Sequence, residues 1–382
     1  MRPLLVPDNK APRAPNNFDL IRIGMALLVV WSHSFALYQG SESSEPISRL
    51  TQGVINSGNF GVFVFFMVSG FLITQSFDRS SSPWSYLRKR LARIHPGFIV
   101  ATSICAFIII PLISHPTSYS VTEVAKTLGL NLLLQGYFVD AAPFRENPMP
   151  ALNGALWSIP YEFWCYLGIL GLGLVGFLKV KRRIYLLAVF AALALVRGWL
   201  EITGRKPGGG IVGIIIGWPY EWFKVLPCFM AGTLIYLYRD LIPRRLWIAV
   251  LGPVLIITIA NLPIAVPWKL ALIGLTFPPL LAYTVFYFGF SKQVFDAARY
   301  GDFSYGTYLY AYPIQQILIY KFGAAIPFCL FVPLAMLFSL AAGILSWHTV
   351  ERWFNLSKTG EKHAYTDDRP ANVTAAPEQL HR

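Results

Sequence analysis

Ten stretches of this chain are apolar for long enough to cross about 30 Å of hydrocarbon as helices. They lie at roughly residues 19–38, 58–77, 96–114, 155–178, 184–201, 218–238, 245–262, 268–290, 304–322 and 327–349. In a bilayer every backbone amide must find a partner within the protein, which leaves the helix as the element for such runs. The expected fold is therefore an all-α integral membrane protein of about ten transmembrane helices. Composition agrees: 55% of the 382 residues are hydrophobic and only 13% charged, where a soluble domain averages about 25% charged. Eleven Trp and 19 Tyr suit two interfacial belts.

The expected organisation is a cytoplasmic segment 1–18, a ten-helix domain 19–354 and a polar, disordered cytoplasmic tail 355–382. The polar, Pro-rich opening is followed by no small-residue cleavage site, so no removable signal peptide is expected. Residues 121–136 read as a shorter amphipathic helix, and 207–217 as too Gly-rich and short for a span. Cys105, Cys165, Cys228 and Cys329 all fall in apolar stretches, which points to packing rather than a disulfide framework.

Ten spans with the N-terminus inside place 22 Lys and Arg in inner segments and eight in outer ones, with Arg22 and Lys224 inside spans. By the positive-inside rule both termini are then expected in the cytoplasm. The formal charge of +13 is explained by that orientation and by anionic lipid. Nucleic-acid binding is not expected. Zinc-type spacings and the GxSxG, Walker and GxGxxG signatures are missing from any suitable context, so neither a metal site nor a bound cofactor is expected.

Ionisable residues inside spans are costly and mark function by default. Arg22 and His33 lie eleven residues apart on the first span. Eleven steps of ~100° make about three turns, so both side chains leave one helix face, roughly 16 Å apart along the axis. Asp19, three residues before Arg22, is placed to pair with it. Arg88, Lys89, Arg90 and Arg93 follow in the next inner loop, either as an anchor on the inner leaflet or as a clamp for phosphates. A clamp and a histidine at that separation suit a donor with a phosphorylated head and an extended arm, such as acyl-CoA.

On the ten-span topology His33 occupies the outer half of the membrane. Glu162, about two turns into the fourth span, is expected at matching depth, where it would orient His33 as a general base. A plain interhelical hydrogen bond is the alternative. Trp157, Ser158, Glu221 and Lys224 are candidates for an acceptor cleft, although Glu221 and Lys224 would equally pair with each other.

Four segments together match a family. They are Asp19-x-x-Arg22 with His33; Gly61-Val-Phe-Val-Phe-Phe-Met-Val-Ser-Gly-Phe71; Arg88-x-Arg90-x-x-Arg93-Ile-x-Pro96; and Leu156-Trp-Ser-x-x-x-Glu162. With Ser304-Tyr-Gly-Thr-Tyr-Leu-Tyr-Ala-Tyr-Pro313 and Val350-Glu-Arg-Trp-Phe354, the chain resembles the acyltransferase-3 family of polytopic bacterial membrane acyltransferases from about residue 17 to 355. The resemblance implies transfer of an acyl group, most often acetyl, from cytoplasmic acyl-CoA to a hydroxyl of a surface polysaccharide or its lipid-linked precursor. The setting would be the bacterial inner membrane, alongside other glycan-biosynthesis membrane proteins. His33 matches the family's essential membrane histidine, Arg22 its partner, and Arg88 and Arg90 its Arg pair.

Two features depart from the pattern. Many members carry a His in the penultimate helix where this chain has Ala311-Tyr312. Some members end in a fused extracellular transferase domain, whereas here only the expected tail follows the last span. Transfer is therefore expected within the membrane module or through a separate protein. The alternative function is a transporter or flippase for a glycan or polar lipid, with Arg22 and His33 lining its path.

Overall fold

The computed structural model describes residues 16–114 and 120–354, and among them every regular element is helical. Most of the segment 1–18 and the tail 355–382 lie outside the described residues. The first helix, α1 (Phe18–Gln39), is tied down at its start by Asn17. The Asn17 amide donates to the carbonyls of Phe288 and Lys292 (3.1 and 3.2 Å), and its Oδ1 accepts from the Val294 amide (2.8 Å). Gly40, at φ +74°, supplies the left-handed residue that ends the helix. Asn56 caps α2 (Ser57–Asp78) by accepting from the Asn59 amide at 2.7 Å.

Ser82 caps α3 (Pro83–Ser114), and Ser120 with Glu123 forms a capping box on α4 (Val121–Leu132). There follow α5 (Ser158–Leu174), α6 (Arg183–Thr203), α7 (Pro219–Leu237), α8 (Leu246–Ala260), α9 (Val266–Gly289), α10 (Ser304–Phe322) and α11 (Phe328–Phe354). The 207–217 segment contains only the short helix Gly210–Ile216.

Six helices among the described residues, not about ten, are long and apolar enough to cross a membrane. They are Phe18–Gln39, Ser57–Asp78, Pro83–Ser114, Val180–Thr203, Val266–Gly289 and Phe328–Phe354. The expected crossings at 155–178, 218–238, 245–262 and 304–322 are the ones overturned, for two reasons. The helices α5 and α8 have 17 and 15 residues, or about 25 and 22 Å at the usual rise, short of the hydrocarbon thickness. The other two are diluted by polar groups: Glu221 and Lys224 in α7, and Gln315, Gln316, Lys321 and five tyrosines in α10. A multi-pass, all-α membrane protein stands.

Side-chain contacts fix how the helices run. Gly61 of α2 lies against Val29 of α1, while Phe71 stacks on Phe18, so α1 and α2 are antiparallel. Asp302 meets Arg22 and Tyr312 meets His33, so α10 runs beside α1 in the same direction. The tightest crossing is between α2 and α7. A Cβ on Gly70 would fall on the Phe229 carbonyl, and one on Gly232 on the Met67 carbonyl, so the two backbones touch. Small residues that admit such an approach are how membrane helices gain packing energy where lipid offers no hydrophobic drive.

Gly70→Ala is expected to lower thermal stability in detergent by about 1–3 kcal/mol, the usual cost of overpacking. Gly24→Ala, where a Cβ would meet nothing within 4 Å, is expected to leave stability unchanged. Equal unfolding temperatures for the two variants would contradict the crossing.

Candidate active site

A carboxylate that sequence reasoning did not single out organises the polar interior. Asp302, in the connector just before α10, accepts through Oδ2 from Nη1 of Arg22 on α1 and from Nη2 of Arg93 on α3, the latter at 2.5 Å. Its Oδ1 accepts from the Ser304 hydroxyl at 2.7 Å. Burial opposes ionisation of Asp302, but Arg22 and Arg93 outweigh it and hold the carboxyl well below its usual range. Arg93 also reaches Glu351 of α11 at 3.4 Å, and Glu351 accepts from Ser346 at 2.9 Å. One ionic chain thus joins α1, α3, α10 and α11. Asp19 does pair with Arg22, but at 3.9 Å and more exposed than Asp302.

The basic segment of α3 divides by helix face. Arg90 and Arg93, three apart, turn inward together, whereas Arg88, two residues from Arg90, is exposed and forms no ion pair among the described residues. Arg90 lies over the rings of Tyr86 and Tyr166, each at 5.9 Å, and donates to Ser76 at 3.4 Å. Its buried Nε has no hydrogen-bond partner among the described residues. A guanidinium held by rings and one long hydrogen bond keeps donors free for a ligand.

Glu162 does not sit at the depth of His33. Tyr166 and Ser69 donate to its Oε1 at 2.6 and 3.0 Å. Ser158 bonds Tyr308 at 2.8 Å, while His33 meets Tyr312, one turn further along α10. α5 therefore starts a turn below His33, and Glu162 lies another turn down, roughly 10 Å from His33 in depth. The cause is the segment 133–157, which dips into the bundle before α5 begins. There Asn153 donates to the Leu309 carbonyl at 2.9 Å, and Gly154 lies beneath the Tyr312 ring. The expected carboxylate–histidine pair does not form. Glu162 instead anchors Tyr166, whose ring supports Arg90.

His33 is half-buried on α1, edge-on to the Tyr312 ring with centroids 5.3 Å apart. Its Nδ1 is fully buried and has no hydrogen-bond partner among the described residues. Both Arg22 and His33 face α10, so the expected common helix face is the one the contacts show. The four acceptor-cleft candidates fall on α5, the turn before it and α7, which meet where Tyr161 packs on Trp222 at 4.9 Å. Ser158 is buried against Tyr308 and Trp157 packs on Tyr161 (5.7 Å), whereas Lys224 bonds Glu221 at 2.8 Å on α7. No group of three or more His, Cys, Asp or Glu among the described residues has metal-binding geometry.

A helical membrane protein with six candidate spans, an arginine-rich node at one end of an internal seam and a histidine further along it is narrowly constrained in class. The family described as "Acyltransferase domain", acyltransferase-3, matches residues 16–348, and the chain belongs to it. It is 28% identical over 346 residues to a protein of Shigella phage Sf6 named "O-acetyl transferase", covering 89% of this chain and 96% of that one. A second relative, "Nodulation protein 10" of Rhizobium leguminosarum bv. viciae, is 29% identical over 164 residues, 40% of this chain and 42% of its own length. No solved structure matches.

Asp302→Asn leaves two inward arginines without their shared anion and is expected to destabilise by about 1–3 kcal/mol, between the cost of an exposed and of a fully buried ion pair. Asp19→Asn removes a longer, more exposed pair and should cost under about 1 kcal/mol. Thermal unfolding of the two purified variants ranks them, and equal shifts would contradict the central place of Asp302.

Proposed function

We propose that this protein is an O-acyltransferase of the bacterial inner membrane. It moves an acyl group, acetyl foremost, from acyl-CoA to a hydroxyl of a surface or exported polysaccharide or of its lipid-linked precursor. The observation that carries the reading is His33, whose buried Nδ1 is uncommitted and which shares one helix face with the Arg22 node roughly 16 Å away. Family membership and the likeness to a phage O-acetyl transferase over most of the chain support it.

In this reading the phosphates of the donor lie against the arginine-rich end. Arg22 and Arg93 are fixed by Asp302 and give the site a set geometry, while Arg90 has free donors and Arg88 a free exposed head. Guanidinium groups grip phosphate through charged, often bidentate hydrogen bonds. The extended arm of the donor runs along the α1–α10 seam and brings the thioester towards His33. The imidazole takes the proton of the acceptor hydroxyl as its oxygen attacks the thioester carbonyl. The C–S bond breaks, the C–O ester bond forms, and the proton passes to the departing thiolate. A variant route has His33 take the acyl group first and release it to the hydroxyl, with the same overall balance. Glu162 acts on the donor side, through Tyr166 and Arg90, rather than on the imidazole.

Two substitutions separate these roles. In a deletion strain complemented at matched membrane levels, His33→Ala is expected to cut glycan ester formation by about 10²-fold or more, the scale of a general base. Glu162→Gln is expected to raise the KM for acyl-CoA with a smaller effect on kcat. Wild-type ester levels with His33→Ala would refute the assignment. Unchanged esters in every strain together with loss of exported polymer would instead favour the transporter.

A further inference from the structure

A cavity of about 330 Å³ lies on the other side of α2 from His33, enclosed by the start of α2, the end of α6, the start of α7 and α9. Three of its lining residues are cations (Arg197, Lys206 and Lys224), against the single carboxylate of Glu201. Arg197 is the unusual one. It sits within a helix long and apolar enough to cross a membrane, 5% exposed, and its buried Nε has no hydrogen-bond partner among the described residues. Its nearest carboxylate contact is Glu201 at 3.8 Å, one turn on. The helix facing it is shaped to admit it: a Cβ on Gly274 of α9 would press on the Arg197 arm at 3.0 Å.

Lys224 and Lys206 flank the Tyr220 ring at 4.5 and 5.9 Å. Lys224 is matched by Glu221 outside the lining, whereas Lys206 is exposed and has no ion-pair partner among the described residues. The rest of the wall is apolar, with Phe63, Leu200, Ile273 and Phe277. A buried arginine kept in a membrane protein faces an interior partner or a ligand, and here Glu201 reaches the Nε only at 3.8 Å, too long for a hydrogen bond.

We propose that this cavity binds a lipid bearing a phosphate-type oxyanion headgroup. The head would sit between Arg197 and Lys206, and the apolar wall would take the first part of the tail. Arginine is suited to that head because its fork offers several donors at once, and the apolar side assigns the anion to a lipid rather than to a free ion. The site stands on its own geometry and does not depend on the transferase reading.

The test titrates purified full-length protein in neutral detergent with dioleoyl phosphatidic acid, dioleoylglycerol or inorganic phosphate, with no acyl-CoA present. Phosphatidic acid is expected to bind at least ~10-fold tighter than dioleoylglycerol, as charged hydrogen bonds to the head require. Lys206→Gln, at an exposed position that folding does not need, should weaken it about fivefold. Arg197→Gln should weaken it more than Lys206→Gln does, and Arg197→Lys should recover part of the loss. Equal affinity for the two lipids, or phosphatidic acid binding untouched by Lys206→Gln, would overturn the proposal. Inorganic phosphate that displaces the lipid at equal concentration would also overturn it, because the site would then take a free anion.

Discussion

The arginine-rich end of this bundle is organised by the carboxylate of Asp302. Two guanidinium groups from different helices, Arg22 of α1 and Arg93 of α3, converge on one oxygen atom, Oδ2. Neither arginine is stable in an apolar interior without an anion, and the anion is not stable there without them. The three therefore fix the relative positions of α1, α3 and the start of α10. Arg93 extends the restraint to α11 through Glu351. Because α10 then runs beside α1, fixing its first residues also fixes where Tyr312 meets His33.

This arrangement separates two kinds of chemistry along one seam. At the arginine end, cations are either locked on carboxylates or, like Arg90, cushioned on tyrosine rings with donors to spare. Further along, the surroundings of His33 are aromatic and uncharged, and its Nδ1 has no competing partner. A carboxylate beside the imidazole would hold its tautomer and favour its charged form. With Glu162 spent on Tyr166 and Ser69, the ring is left available to accept a proton in the proposed reaction. Across α2, the tight crossing with α7 keeps the Arg197 cavity on a different face of the same helix.

The seam itself was legible in the sequence because helical periodicity is a local rule: eleven residues bring Arg22 and His33 to one face whatever surrounds them. The same rule predicts that Arg90 and Arg93 share a face and that Arg88 does not. The depth of Glu162 was not legible, because it depends on where α5 begins. That point is set by long-range bonds such as Asn153 to the Leu309 carbonyl, which leave no local pattern. Asp302 lay in a short polar connector, where a carboxylate is unremarkable. Its one signal was that two inward arginines needed an anion that Asp19 alone could not supply. The number of crossings was over-read because apolar runs such as 245–262 resemble spans until the helix inside proves to be 15 residues long.

The most direct measurement of the central claim is a paired one on purified protein: the Kd for radiolabelled acetyl-CoA, and the transfer of its label to glycan, for wild type and His33→Ala. Donor binding at the arginine end and chemistry at His33 predict the same Kd for both proteins, with label transfer by wild type alone. Transfer retained by His33→Ala, or a wild-type protein that does not bind the donor, would contradict the account.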